Sequence, residues 1–279
     1  MSHRILPLLG FALAAMAATL VGASEPVLTI DIGGTTRSFA RGQLLKSPEA
    51  VEIEVAHDNA YGGTMHYHAI PLDRLLAGLD LPRAQILEAV ASDGFIGMLP
   101  VDLVLRPPPG GARAYLAIEP ADTPWPPLKG NEASAGPFYV VWLNPEAAGI
   151  HSEQWPYKVV AIRSADSPAK RWPALDVAPS LPADDPVRAG QTLFVIQCLV
   201  CHKMNGAGSA DVGPDLNRPE NPTEYFQESA LKRYIRDPAS LRHWSKMEMK
   251  AFNQEQLSDH EIDLIVAYLH HMAGRKASP

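Results

Sequence analysis

Cysteine is nearly absent: two residues in 279 allow one bridge at most, so the fold must rest on packed cores and not on a disulfide framework. Basic charge is not in excess either. The 24 lysines and arginines are outnumbered by 31 aspartates and glutamates, giving a formal net charge of -7 at pH 7. That balance argues against a partner bound through nucleic-acid phosphates or anionic lipid. Beyond the first two dozen residues no apolar run approaches eighteen residues, and there is no internal repeat or low-complexity tract. What is left is an ordinary globular mixture, 46% hydrophobic and 20% charged, long enough for one large domain or two modest ones.

The single long apolar run is N-terminal. His3 and Arg4 precede residues 5–23, which end in Val21-Gly22-Ala23 before Ser24, with small residues where a signal peptidase needs them. Residues 1–23 therefore read as a cleaved signal peptide, which predicts export and a periplasmic location. Left uncleaved, the same stretch would be a membrane anchor.

The rest divides in two. Residues 166–185 are rich in proline and poor in apolar periodicity, which predicts a semi-rigid linker. Upstream, in residues 24–165, short runs at 27–32, 51–55, 114–118, 138–143 and 158–162 read as strands between Gly and Pro punctuation. Residues 71–79 and 83–89 read as short helices, so this half is predicted to be α+β and mainly β. Downstream, residues 186–195, 223–237 and 258–273 carry apolar side chains at three- and four-residue spacing, which predicts an all-α domain over 186–273 and a tail over 274–279. The charges divide as well: residues 24–183 carry -6 and residues 184–279 carry -2.

Both cysteines lie in Cys198-Leu199-Val200-Cys201-His202. This is the C-x-x-C-H arrangement at which two thiols add to the vinyl groups of haem and the next histidine coordinates iron. One turn of chain presents both sulfurs to neighbouring pyrroles, and the fixed step to His202 brings its imidazole under the metal. A thioredoxin-like pair would want a βαβ setting, and zinc would want two more ligands nearby; neither context is present.

The surroundings resemble a class I cytochrome c over about residues 186–273. Gly190 and Phe194 are placed like the close-packing glycine and aromatic of that family's first helix, and Gly213-Pro214-Asp215-Leu216 matches its G-P-D-L segment. Residues 257–269 look like its closing helix. The resemblance implies one covalent haem c, attached at Cys198 and Cys201, with His202 as one axial ligand and a methionine as the other. In Lys246-Met247-Glu248-Met249-Lys250-Ala251-Phe252, alignment of the phenylalanine favours Met249, with Met247 as the fallback and His243 read as a surface residue. Lys250 stands where the family usually has proline. Lys203, Lys246 and Lys250 offer a small basic rim for an acidic redox partner protein.

The first half resembles, more weakly, the sulfite-oxidase-type molybdopterin-binding fold over about residues 27–165. The likeness rests on MHYHAIPLDRLL (65–76), Ser92-Asp93-Gly94-Phe95, and residues 136–142 leading to Trp155 and 158–162. That family holds molybdenum through a cysteine thiolate, and no cysteine exists here outside the haem motif, so molybdenum cofactor is not expected. His66 and His68 fall on one face of a strand, where with His57 or His151 they could bind a copper or zinc ion; isolated surface histidines are the simpler reading. Asp58, Asp93, Asp102 and Glu119 offer carboxylates without a spacing that marks an acid–base pair. The aromatics Trp125, Phe138, Tyr139, Trp142, Trp155 and Tyr157 suit a β-rich core or a pocket.

The favoured expectation is a periplasmic electron-transfer protein, not an enzyme, whose first domain docks or scaffolds. The alternative is the electron-accepting subunit of a redox enzyme, or a fused redox enzyme, whose first domain binds a substrate or second metal. A haem-based ligand sensor would need a labile methionine.

Overall fold

The computed structural model describes residues 25–79, 81, 85–210, 212–243, 247 and 249–276. The expected signal peptide, and Lys246 of the expected rim, lie outside the described residues.

The first domain is built from two sheets. β1 (Val27–Ile32) and β2 (Thr35–Ala40) form a hairpin, followed by the short helix α1 (Arg41–Leu45). β3 (Val51–Val55) and β4 (Met65–Pro71) form a second hairpin, and Pro71 ends β4 into α2 (Leu72–Leu75). β5 (Gln85–Ala91) pairs with β6 (Ile96–Leu99), which leads into α3 (Val101–Leu105). β7 (Arg113–Ile118), β8 (Phe138–Leu143) and β9 (Val159–Asp166) complete the strands. One sheet has the order β2-β1-β9-β5-β6 and the other β3-β4-β7-β8; β1 and β9 are parallel, all other neighbours antiparallel. Alternation in β1 sends Leu28, Ile30 and Ile32 into a core shared by both sheets. β8 is buried along both faces from Phe138 to Trp142, which is why its sequence reads as a continuous apolar run.

Residues 83–89, expected to be helical, are instead strand from Gln85 onward. β5 is a central strand between β9 and β6, and its continuous burial from Leu87 to Ala89 mimics the apolar stripe of a helix over so short a window. The expected helix over 71–79 is reduced to α2, four residues long.

The proline-rich segment is not an extended tether. α4 (Pro168–Arg171) and a 3₁₀ turn (Pro173–Leu175) occupy it, and Leu175 and Val177 enter the second core. The Leu175 carbonyl accepts from the Tyr268 hydroxyl at 2.8 Å and from the Gln191 amide at 3.1 Å.

The second domain is helical: α5 (Pro186–Gln197), α6 (Pro222–Tyr225), α7 (Glu228–Arg236) and α8 (Asp259–Ala273). The helix expected over 223–237 is two, because Phe226 adopts an extended backbone between them and packs its ring on the second core. Asp185 and Ser258 cap α5 and α8, the latter in a reciprocal capping box with Glu261. No described helix is long and apolar enough to cross a membrane.

Candidate functional site

α5 carries the motif's cysteines to the point where α8 crosses it. A Cβ on Gly190 would stand 2.0 Å from the Leu264 carbonyl oxygen, so only glycine lets the two backbones approach this closely. One turn further on, Phe194 and Tyr268 are fully buried with their rings 5.1 Å apart. The chain then tightens: the Cys201 and His202 amides both donate to the Cys198 carbonyl, at 3.1 and 2.8 Å. Cys198 and Cys201 are half-buried and not joined by a disulfide. Burial, reinforced by Cys201 and by Glu153 of the first domain, pushes the Cys198 thiol up to about 12. A thiol pushed up by burial is a poor thioredoxin-like nucleophile.

His202 is set by the loop that follows. Its ring Nδ1 lies 2.9 Å from the Pro214 carbonyl oxygen, so Nδ1–H donates and Nε2 keeps its lone pair for a metal. Burial pushes the imidazole below its usual range, which keeps it neutral, the form that ligates. Gly213 makes the close approach possible: a Cβ there would stand 2.5 Å from both Nδ1 and Cε1 of the ring. The Gly213 amide donates to the Cys201 carbonyl at 2.8 Å, tying this loop to the motif. Asp215 accepts from the backbone amides of Asn205, Gly206 and Asn217.

Behind the loop lies a buried polar ladder. The Asn217 amide donates to Asn205 Oδ1 at 2.9 Å and to the Met272 carbonyl at 2.8 Å. Asn221 donates to Asn217 Oδ1 at 2.9 Å and to the Leu269 carbonyl at 3.0 Å. The histidine loop is thus fastened to the end of α8. Sequence reasoning missed these three asparagines, since each reads singly as an ordinary loop residue.

Residues 187–273 match the family model for cytochrome c. This region is a cytochrome c domain. The family implies covalently bound haem c and haem-based electron transfer. No curated protein matches the chain with significance. The residues present fit the group: two cysteines spaced for thioether bonds, a histidine whose outer nitrogen is already committed, and a glycine against that ring where a side chain would displace it.

In the methionine segment of the cytochrome c domain, Met247 and Met249 are both half-buried and His243 is exposed. The end of the segment is pinned: the Phe252 amide donates to the Arg236 carbonyl at 3.0 Å, and the Arg236 guanidinium returns a bond to the Phe252 carbonyl at 2.8 Å. Burial does not distinguish the two thioethers, so the preference for Met249 stands on its spacing to Phe252.

The first domain brings few of its candidates together. His66 and His68 do share the exposed face of β4, but each faces a glutamate on β3, at 3.9 Å from Glu54 and 3.8 Å from Glu52. His57 is exposed, and His151 turns towards the second domain. Among the described residues no group of three or more His, Cys, Asp or Glu could hold a metal ion. Asp58 is buried and accepts from the Tyr67 hydroxyl at 2.8 Å, the Tyr139 hydroxyl at 3.3 Å and the amides of Ala60 and Tyr61. Desolvation pushes its carboxyl above the usual range. Glu119 accepts from the Trp125 amide at 2.9 Å. Both carboxylates anchor loops, while Asp93 and Asp102 are exposed. The aromatics form core contacts, with Tyr67 and Trp125 edge-to-face at 4.8 Å.

The two domains meet at the haem motif itself. Ile96 and Met98 of β6, together with Trp172, line a cleft shared with Leu199 and Val200, the two residues between the cysteines. Beside it the Glu88 carboxylate, on β5 and buried, receives Arg163 and Arg171. A second contact is made by a 3₁₀ turn, Ser152–Gln154, which packs on α5. His151 Nδ1 lies 3.3 Å from the Gln256 carbonyl, which also accepts from the Gln197 amide at 3.3 Å.

Proposed function

We propose that the protein is a periplasmic c-type cytochrome passing single electrons through one covalent haem, with the first domain serving as a docking or scaffolding unit. The observation that carries this reading is the Nδ1–H bond from His202 to the Pro214 carbonyl, one residue from the cysteine pair. Haem, when bound, supplies a one-electron iron couple. Cys198 and Cys201 would hold it by thioether bonds, and His202 Nε2 and the Met249 thioether would serve as ligands to its iron. The Pro214 carbonyl fixes the imidazole's tautomer and increases its basicity. With histidine and methionine both committed as ligands, the iron would serve electron transfer and not substrate turnover.

Molybdenum cofactor has no place in it, because the first domain holds no cysteine to supply the thiolate that a sulfite-oxidase-type fold would use. Lys203 and Lys250, with Lys246, are proposed to guide an acidic redox partner; reduction rates that do not change with ionic strength would remove that role.

A second reading draws support from the interdomain cleft. Because β6 abuts Leu199 and Val200, a first domain that bound a redox substrate or second metal would sit beside the haem attachment turn. The experiment that tests both is spectroscopy and elemental analysis of the protein exported from a host competent for haem attachment. A c-type pyridine haemochrome with one iron per chain and no second metal is expected. Absence of covalent haem would refute the first reading, and a stoichiometric copper, zinc or molybdenum would establish the second.

A further inference from the structure

The first domain does more than sit beside the motif: a turn bearing one of its acidic residues packs against the helix that leads into it. Resting on the haem reading above, we propose that Glu153 is a positioning residue for charge, through which the first domain lowers the reduction potential of the haem attached at the neighbouring motif.

The geometry fixes where Glu153 stands. Its 3₁₀ turn packs against α5 and is held on several sides. His151, before it, bonds to the Gln256 carbonyl and lies 3.7 Å from Glu261 at the start of α8. The Ser152 carbonyl accepts from Asn59 at 3.3 Å, Gln154 reaches the Met98 carbonyl at 3.5 Å, and Trp155 is buried.

Its electrical surroundings are those of the haem site. Glu153 acts on the Cys198 thiol and is itself acted on by Lys250, the neighbour of Met249. The turn that carries it packs on α5, the helix that ends at Cys198. Its one hydrogen bond among the described residues is from the Ser152 hydroxyl at 3.4 Å, and no described residue forms an ion pair with it. Burial raises its pKa, so the carboxylate is held there at a desolvation cost that an exposed acid would not bear. A negative charge favours the more positive oxidation state of nearby iron. The sign of the effect is thus a lower potential.

The test uses full-length holoprotein at pH 8, with Glu153→Gln and Glu153→Asp, in spectroelectrochemical titration. Glu153→Gln is expected to shift the ferrous-to-ferric ratio at a fixed potential about tenfold towards ferrous, a rise of 59 mV for a one-electron couple. Glu153→Asp, which restores the charge, is expected to stay within about twofold of the parent. Glu153→Ala reads the same rise where Gln is not accommodated. An unchanged potential in a Gln or Ala variant that retains covalent haem and its methionine-to-iron band overturns the proposal, as does a shift that Asp fails to restore. A shift that comes with loss of that band reports ligand exchange and overturns it too. Failure of the parent protein to carry covalent haem would instead refute the cytochrome reading, and the pyridine haemochrome separates the two.

Discussion

Removing the Asn217 side chain should cost the cytochrome c domain more than any comparable change in an exposed loop. Asn217 and Asn221 have no exposed surface, and Asn205 is 6% exposed. In Asn217→Ala the Met272 carbonyl keeps the Arg275 amide at 2.8 Å but loses the Asn217 donor, Asn205 Oδ1 loses the same donor, and Asn221 loses the acceptor that holds it 2.9 Å away. Each bond is worth about 1 kcal/mol net, and each stranded buried group adds about 1 to 3 kcal/mol. Water entering the small space left behind offsets part of this, so the loss is about 3 to 5 kcal/mol. For a domain of about 90 residues, each kcal/mol moves Tm by about 4 to 8 °C. A fall of at least about 12 °C is therefore expected in the transition followed by the Soret band of the holoprotein. The ladder also predicts coupling: Asn205→Ala in the Asn217→Ala background should cost less than alone by at least about 0.5 kcal/mol. A Tm within about 4 °C of the parent, or strict additivity of the pair, would refute the account.

Three further outcomes follow from the same structure. Gly190→Ala forces a Cβ to within 2.0 Å of the Leu264 carbonyl, so α5 and α8 must separate at about 1 to 3 kcal/mol or more; denaturant melts of the holoprotein measure it, and a neutral result would contradict the close crossing. The Asp58 carboxyl, raised in the fold by burial, contributes stability that is fully present below its unfolded value of 3.8 and is lost as pH rises through the folded value. The stability difference between parent and Asp58→Asn should therefore change with pH across that window in urea titrations, and a constant difference would remove the burial argument. Met249→Ala should abolish the methionine-to-iron charge-transfer band and lower the potential; if Met247→Ala does so instead, the ligand assignment moves to Met247.

The sequence made some of this legible, and for identifiable reasons. The runs at 27–32, 51–55 and 138–143 emerged as strands with those bounds, because the first two alternate β-favouring residues with others and the third is a continuous apolar run, each between turn residues. α8 was legible from its Ser258 cap and apolar spacing. Local pattern failed where tertiary placement overrides it. β5 is central enough to be buried on both faces, so nothing in Ile86-Leu87-Glu88-Ala89 distinguishes it from a helix until β6 and β9 flank it. Glu88 carries no local mark of its partners, and only the fold shows Arg163 and Arg171 converging on it. At the site, His202, Gly213 and Pro214 lie within thirteen residues and carry a recognisable spacing. Asn205, Asn217 and Asn221 serve the same loop, but their partners are backbone carbonyls at the far end of α8, a relation with no trace in local sequence.

The proline-rich segment shows how the two domains are held. Arg171, at its near end, is bonded to Glu88 in the first domain and stacks over Trp172 with its guanidinium 4.1 Å from the ring centroid. Leu175, four residues later, is fully buried in the second core. Only Trp172, Pro173 and Ala174 separate a residue fastened to one domain from a residue inside the other, and two of those three also pack on the second core. Proline stiffens this span by fixing φ, and the Ser167 hydroxyl caps its one helical turn. A swinging haem domain would need to break the Arg171–Glu88 pair, pull Met98 away from the second core and part His151 from Gln256 together. The domain arrangement is accordingly a property of the fold, and a carboxylate such as Glu153 can keep a fixed electrostatic relation to Cys198 only because it is.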